Sequence, residues 1–192
     1  MKYVFKITLR GLSNPEVWRT IAIPHDYTFF KFHKVIQLIF GWENLHFFEF
    51  LASENGSNIH IYMPHEDDLD DEEMNFADAT KETVGNVMSR GITHLTYHYD
   101  RNDNWIHDIT LLSSSEDVLN CPICIDGGGM CPPEGCNGAI GYEHIKFILR
   151  ERPDSDEARR CRDWLFMEDG DEFHPDYFPQ SEIEEINEIL RR

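Results

Sequence analysis

Residues 121–142 read CPICIDGGGMCPPEGCNGAIGY, and this stretch divides the chain into two unlike parts. It holds four of the five cysteines, six of the twelve glycines and three of the nine prolines. Glycine brings backbone conformations of positive φ and proline removes a hydrogen-bond donor, so such a density predicts a shaped loop and neither helix nor strand. A long loop is either functional or disordered, and the cysteines with the apolar helical pattern behind them favour an ordered, functional one.

Upstream of this loop the apolar residues recur mostly with period two. Tyr3, Phe5, Ile7 and Leu9 share one face of a strand. Asn14-Pro15 marks a turn, and Val17–Ile23 reads as a second strand that pairs with the first and stops at Pro24. Thr28 is placed to cap a helix carrying Phe32, Val35, Ile36, Ile39 and Phe40, with Gly41 as its stop. Residues 46–52 and 58–63 read as two strands across a turn at 54–57. Thr80 is expected to open a short helix through Val84, Val87 and Met88, closed by Gly91. The clearest hairpin is 94–100 with 104–112, whose second strand shows Trp105, His107, Ile109 and Leu111 on one face.

Downstream the spacing becomes helical. Tyr142–Leu149 carries Ile145, Ile148 and Leu149, and Ser155–Met167 carries Ala158, Cys161, Trp164 and Leu165. A turn at 174–179 is expected to dock a last helix with Ile183, Ile186, Ile189 and Leu190, entered through a capping box of Ser181 and Glu184. Strands first and helices last predict an α+β fold: an antiparallel or mixed sheet with helices packed on one face. The expected organisation is a single domain over residues 1–192 with an acidic insert at about 64–78, where seven acids fall within Glu66–Glu73.

The composition excludes several classes. With 41% hydrophobic and 12% aromatic residues the chain can build a core. Its 36 acids against 17 bases give a net charge of −19, which disfavours direct nucleic-acid binding, because that binding rests on Lys and Arg neutralising phosphates. MKYVFKITLR reads as a strand and not as a signal peptide, and no run of about 18 apolar residues is present to span a membrane. The expected location is therefore cytoplasmic and reducing, where clustered cysteines read as metal ligands or buried thiols before disulfides.

YVFKITLRGLSNPEVWRTIAIP, the apolar helix ending in FGW, HFFEF, YHYDRNDNWIHDI and CPPEGCNGAIGY, in that order, resemble the plasmid pRiA4b ORF-3-like family from about Lys2 to Leu190. Asp100, Asp103, Trp105, His107, Glu134, Gly138 and Tyr142 match the family pattern. Arg101 and Asn102 stand where the family has Phe and Gly, and Gly135 and Asn137 where it has Asp and Gly. The resemblance implies an occasional association with mobile elements and no settled activity.

Two constellations carry candidate chemistry. Cys121, Cys124, Cys131 and Cys136 follow a C-x2-C-x6-C-x4-C spacing. The Cys-Pro-Ile-Cys half resembles a zinc knuckle, in which two thiolates on a turn share a tetrahedral ion at about 2.3 Å. Packing of the same cysteines as small buried thiols is the competing reading. Asp100, Asp103, His107 and Glu134, with His46, offer carboxylates and imidazoles for a catalytic divalent ion. Against that, turn aspartates accept backbone N–H groups and His107 fits an aromatic core cluster. The leading functional reading is a binding or adaptor domain with a protein partner. Its partner surface would include Tyr99, Asp100, Trp105 and Tyr142, and zinc in the loop would be structural. The alternative is a metal-dependent hydrolase using Asp103, His107 and Glu134, conceivably acting on nucleic acid.

Overall fold

A computed structural model of the chain describes residues 1–54, 57–64, 76–168 and 170–192. The first strand, β1 (Lys2–Leu9), alternates as expected, with Tyr3, Phe5, Ile7 and Leu9 buried. It pairs antiparallel with β2 (Trp18–Pro24), and the Asn14-Pro15 peptide between them is cis. Helix α1 (Phe29–Phe40) has the expected ends. Thr28 Oγ1 accepts the Lys31 N–H, and Gly41 stops the helix in the left-handed conformation.

The strands β3 (Phe48–Glu54) and β4 (Ser57–Tyr62) pair antiparallel, and the turn expected at 54–57 falls partly outside the described residues. The acidic run Glu66–Glu73 lies wholly outside them, while the end of the expected insert forms β5 (Phe76–Asp78), parallel to β4. The short helix α2 (Val84–Met88) is capped by Thr83 and not by Thr80. Thr80 is held by Asp78 instead, whose carboxylate accepts both its N–H and its hydroxyl. The hairpin of β6 (His94–Tyr99) and β7 (Trp105–Ser115) forms as read.

The stretch 121–142 departs from expectation. Ile123–Gly128 is a strand, β8, antiparallel to β2, and Gly138–Glu151 is helix α3. Glycine serves close approach here. A Cβ at Gly127 would lie 2.4 Å from the Phe178 ring and 2.8 Å from Arg19 Cδ, so only a bare backbone lets the edge strand seat beneath the tail. The complete sheet runs β5-β4-β3-β6-β7-β1-β2-β8 and is mixed and open. The free edge at Cys124 is closed by a side chain: Asn187 accepts the Cys124 N–H and donates to its carbonyl, which blunts the edge against further pairing.

Helices α4 (Asp156–Trp164) and α5 (Gln180–Leu190) complete the chain. Ser155 caps α4, of which Ala158 is buried while Trp164 is exposed. The capping box expected at Ser181 and Glu184 is absent, because α5 starts earlier, after Pro179, with no side-chain cap. The segment before it is anchored: Met130 N–H donates to the Pro175 carbonyl, and Phe178 lies on the Arg19 guanidinium at 3.5 Å. Core residues face α1 and α5, whereas Lys2, Val4, Lys6 and Thr8 on the other face of β1 are only half-buried. That is the pattern of an antiparallel sheet with one covered face.

Candidate functional site

The tip of the β6–β7 hairpin, the α1–β3 loop and the 131–136 loop meet at one end of the sheet. Asp100 has φ +56, its carboxylate accepts the Asn102 N–H at 2.9 Å, and its carbonyl accepts the Asn104 N–H. Asp103 Oδ2 accepts the Gly135 N–H at 3.0 Å. Glu134 accepts the Tyr99 hydroxyl at 2.6 Å and the Glu43 N–H at 2.7 Å. Trp42 Nε1 donates to the Pro132 carbonyl, and its ring stacks on Tyr99 at 5.3 Å. Asp103 and Glu134 therefore tie loops together through backbone and tyrosine donors, while the Asp100 carboxylate bonds within its own turn and lies 3.6 Å from His46 Nε2.

His107 points away from them into the core. It is fully buried among Phe40, Trp42 and Tyr97, with ring centroids 4.8–5.3 Å away. Neither ring nitrogen has a hydrogen-bond partner among the described residues, and the same holds for Trp105 Nε1. Burial pushes the imidazole down to about 3, so it is neutral near neutral pH. The hydrolase alternative groups His107 with Asp103 and Glu134 because they neighbour one turn, while the burial of His107 matches the competing core-cluster reading. Strand alternation instead sends the imidazole through the sheet to the helix side.

Beside it lies a closed polar ring that sequence reasoning missed. Gln37 Nε2 donates to the Tyr97 hydroxyl at 2.9 Å, and Tyr97 reaches His33 Nδ1 at 2.8 Å. His33 Nε2 reaches Asn44 Oδ1 at 2.5 Å, and the Asn44 N–H returns to Gln37 Oε1 at 3.1 Å. Asn44 Oδ1 only accepts, so Nε2 carries the hydrogen and Nδ1 accepts from Tyr97. Burial holds His33 down, at about 4, which agrees with that neutral tautomer. The ring fixes the α1–β3 turn, where Asn44 has φ +59.

The four loop cysteines do not gather into a ligand set: among the described residues no group of three or more His, Cys, Asp or Glu is placed to hold a metal. The reason is local. A zinc knuckle needs Cys-x2-Cys on a turn, but Ile123 is already in β8, paired with Ala22, and Cys124 points into the core. Cys136 is buried with its thiol donating to the Gly138 carbonyl. All five cysteines are free. Burial pushes Cys124 up to about 11 and Cys136 to about 12, and it raises Cys131 as well. These are inert thiols in their environment.

Four residues make up the expected partner surface. Tyr99, Asp100, Trp105 and Tyr142 are all buried, because the loop and helix that follow fold over the hairpin. Tyr99 and Asp100 nevertheless line a small concavity of about 140 Å3 with Arg101 and Asn104, and a larger one lies elsewhere. A cleft of about 530 Å3 opens between α3, α4 and residues 171–175, lined by Lys146, Phe147, Arg150, Arg162, Glu172 and Phe173 among others. Lys146 is buried against Glu143 at 2.8 Å and the Ser13 carbonyl at 2.9 Å, which seats α3 on the β1–β2 turn. Arg162 gives one N–H to the Pro153 carbonyl, and Arg150 its Nε to Glu151. Residues 146–162 hold six bases against four acids, in a chain of net charge −19. That local reversal is the signal that could have pointed to the cleft.

A family model described as "Plasmid pRiA4b ORF-3-like protein" matches residues 1–182. The chain belongs to the plasmid pRiA4b ORF-3-like family. Uncharacterized protein y4hQ of Sinorhizobium fredii is 26% identical over 167 residues, covering 86% of this chain and 81% of that protein. The crystal structure of a protein of unknown function, MM3350 from Methanosarcina mazei Go1, superposes with a TM-score of 0.78 at 28% identity, covering 94% of this chain and 96% of the other. No helix among the described residues is long and apolar enough to cross a membrane.

In this pRiA4b ORF-3-like chain Asp100, Asp103, Glu134 and Gly138, which match the family pattern, lie at the closed hairpin end. Gly138 shows why the loop needs them. It has φ +69, and a Cβ there would lie 2.3 Å from the Asp103 carbonyl oxygen, so both conformation and space demand glycine. Gly138→Ala is expected to cost about 2–3 kcal/mol, read as a lowered urea midpoint with an unchanged m-value. A midpoint equal to that of the parent would mean the loop adjusts freely.

Proposed function

We propose that this pRiA4b ORF-3-like chain is a non-catalytic binding domain whose partner docks in the cleft between α3, α4 and residues 171–175. The observation that carries this is the lining: guanidinium groups and aromatic rings share one concavity of about 530 Å3 on a strongly acidic protein. The volume is that of a ligand site, and Phe147, Leu149, Phe173 and Pro175 supply the apolar part of an otherwise polar lining. The hydrolase reading has less support, because Asp103 and Glu134 hold backbone N–H groups and His107 faces the core.

The test is affinity capture quantified against variants. Proteins retained by the parent chain should be lost with Arg150→Glu/Arg162→Glu and kept with Asp103→Ala. Retention that ignores the cleft charges, combined with a metal-dependent hydrolysis lost in Asp103→Ala, would overturn the proposal in favour of the hydrolase.

A further inference from the structure

From the cleft's chemistry we infer that its occupant is the C-terminal end of a basic polypeptide, with the terminal carboxylate on Arg150 and Arg162 and an apolar last side chain between Phe147 and Phe173. This rests on the binding reading above and names its partner.

Charge decides the first half. The cleft sits on a chain of net charge −19, which repels an anion at long range, and its own walls include Glu143, Asp171 and Glu172. A dianionic phosphate meets those carboxylates at close quarters. A single carboxylate is a smaller charge and matches the planar guanidinium fork. Each guanidinium carries five donors. Among the described residues Arg162 gives one N–H to a backbone carbonyl and Arg150 one to an exposed neighbouring glutamate, so donors remain for a ligand. Lys146 is paired with Glu143 and bonded to the Ser13 carbonyl, so that lysine and that carboxylate largely offset each other and leave Arg150 and Arg162 as the cations for a ligand.

The apolar lining decides the second half. Phe147 is 43% exposed on α3 although it lines a cleft, and Phe173 faces it from the 171–175 segment, its ring edge-on to Tyr142 at 6.3 Å. Two rings and two guanidinium groups in one lining suit an apolar group joined to an anion. The C-terminus of a polypeptide joins them on one residue, and its carboxylate accepts two parallel N–H groups from a guanidinium fork. Basic residues upstream then meet Asp171, Glu172 and the acidic surface outside, which steers the encounter.

The experiment is a synthetic array of six-residue peptides, Lys- and Arg-rich upstream, ending in each of the twenty residues as free acid and as amide, probed with the full chain. Free acids ending in Phe, Leu, Ile or Met should bind, with tenfold or greater loss on amidation, measured by fluorescence polarisation. Arg150→Gln/Arg162→Gln should bring the acid down to the level of its amide, with the folded state checked by circular dichroism. Phe147→Ser should weaken acid and amide alike. If amides bind as well as acids, the carboxylate assignment is overturned while cleft binding stands. A silent array beside cleft-dependent protein capture overturns the C-terminal occupant alone. A silent array without such capture removes both proposals.

Discussion

Acidification from about pH 7 to about pH 5 is expected to remove about 4 kcal/mol of stability through two buried imidazoles. His33 and His107 are both fully buried, with folded values pressed to about 4 and about 3 from an ordinary 6.5. The sign follows from which state binds the proton. Above about pH 6.5 both states are neutral at these rings and the stability is complete. As pH falls below that, the unfolded chain protonates first, and stability drains until the folded values are reached. Each ring contributes about 1.4 kcal/mol per pH unit inside that window. Since an ordinary domain holds only about 5–15 kcal/mol, the loss is a large share of the total. Urea melts across the window measure the slope. His107→Leu keeps the volume and deletes both nitrogens, so it should roughly halve that slope. It should cost little at neutral pH, because those nitrogens have no partners to lose. An unchanged slope would show that His107 is not the neutral, dry ring described above.

Arg19→Met is expected to destabilise the chain by about 3–5 kcal/mol, the largest effect of any single substitution predicted here. Arg19 is fully buried on β2. Its Nε donates to the Ile39 carbonyl at 3.1 Å, and its Nη1 to the Trp18, Gly128 and Gly129 carbonyls at 2.8–3.1 Å. The ring of Phe178 covers it at 3.5 Å and that of Phe40 lies 5.3 Å away. One cation thus joins α1, β2, the end of β8 and the segment leading into α5. Burial lowers its pKa, yet a guanidinium stays charged in proteins, and here carbonyl dipoles and a ring face compensate it without a carboxylate hydrogen bond. Methionine fills much of the volume but leaves carbonyls unpaired. Lysine should not rescue, because a point charge cannot replace the planar fork that both stacks and donates. Amide exchange would localise the damage: β8 and residues 174–179 should lose protection before β1 and β7 do. A loss below about 1 kcal/mol would mean that water replaces those bonds.

Local pattern was enough for much of this architecture. Period-two alternation in β1, β6 and β7 and the two ends of α1 depend on residues close in sequence, so Thr28, Gly41 and the inward row Tyr3, Phe5, Ile7 and Leu9 were legible directly. Even Arg19 left a trace, standing in the inward row of β2 between Val17 and Ile21. The conversion of 123–128 from loop to strand was not legible, because it depends on an edge of β2 left open and on Phe178 arriving some fifty residues later. For the same reason Cys124 became a core thiol, and Tyr99, Asp100, Trp105 and Tyr142 became buried parts of a closed end.

Composition and periodicity by themselves determined an acidic α+β chain with a one-sided sheet, since burying an apolar face is a local demand that each strand and helix states in its own residues. Only the tertiary structure decided the candidate site. Ser13, Lys146, Arg162 and Phe173 share a cleft because the β1–β2 turn, α3, α4 and the tail segment pack together. No residue in any of those segments encodes, within its own neighbourhood, which distant side chain will face it.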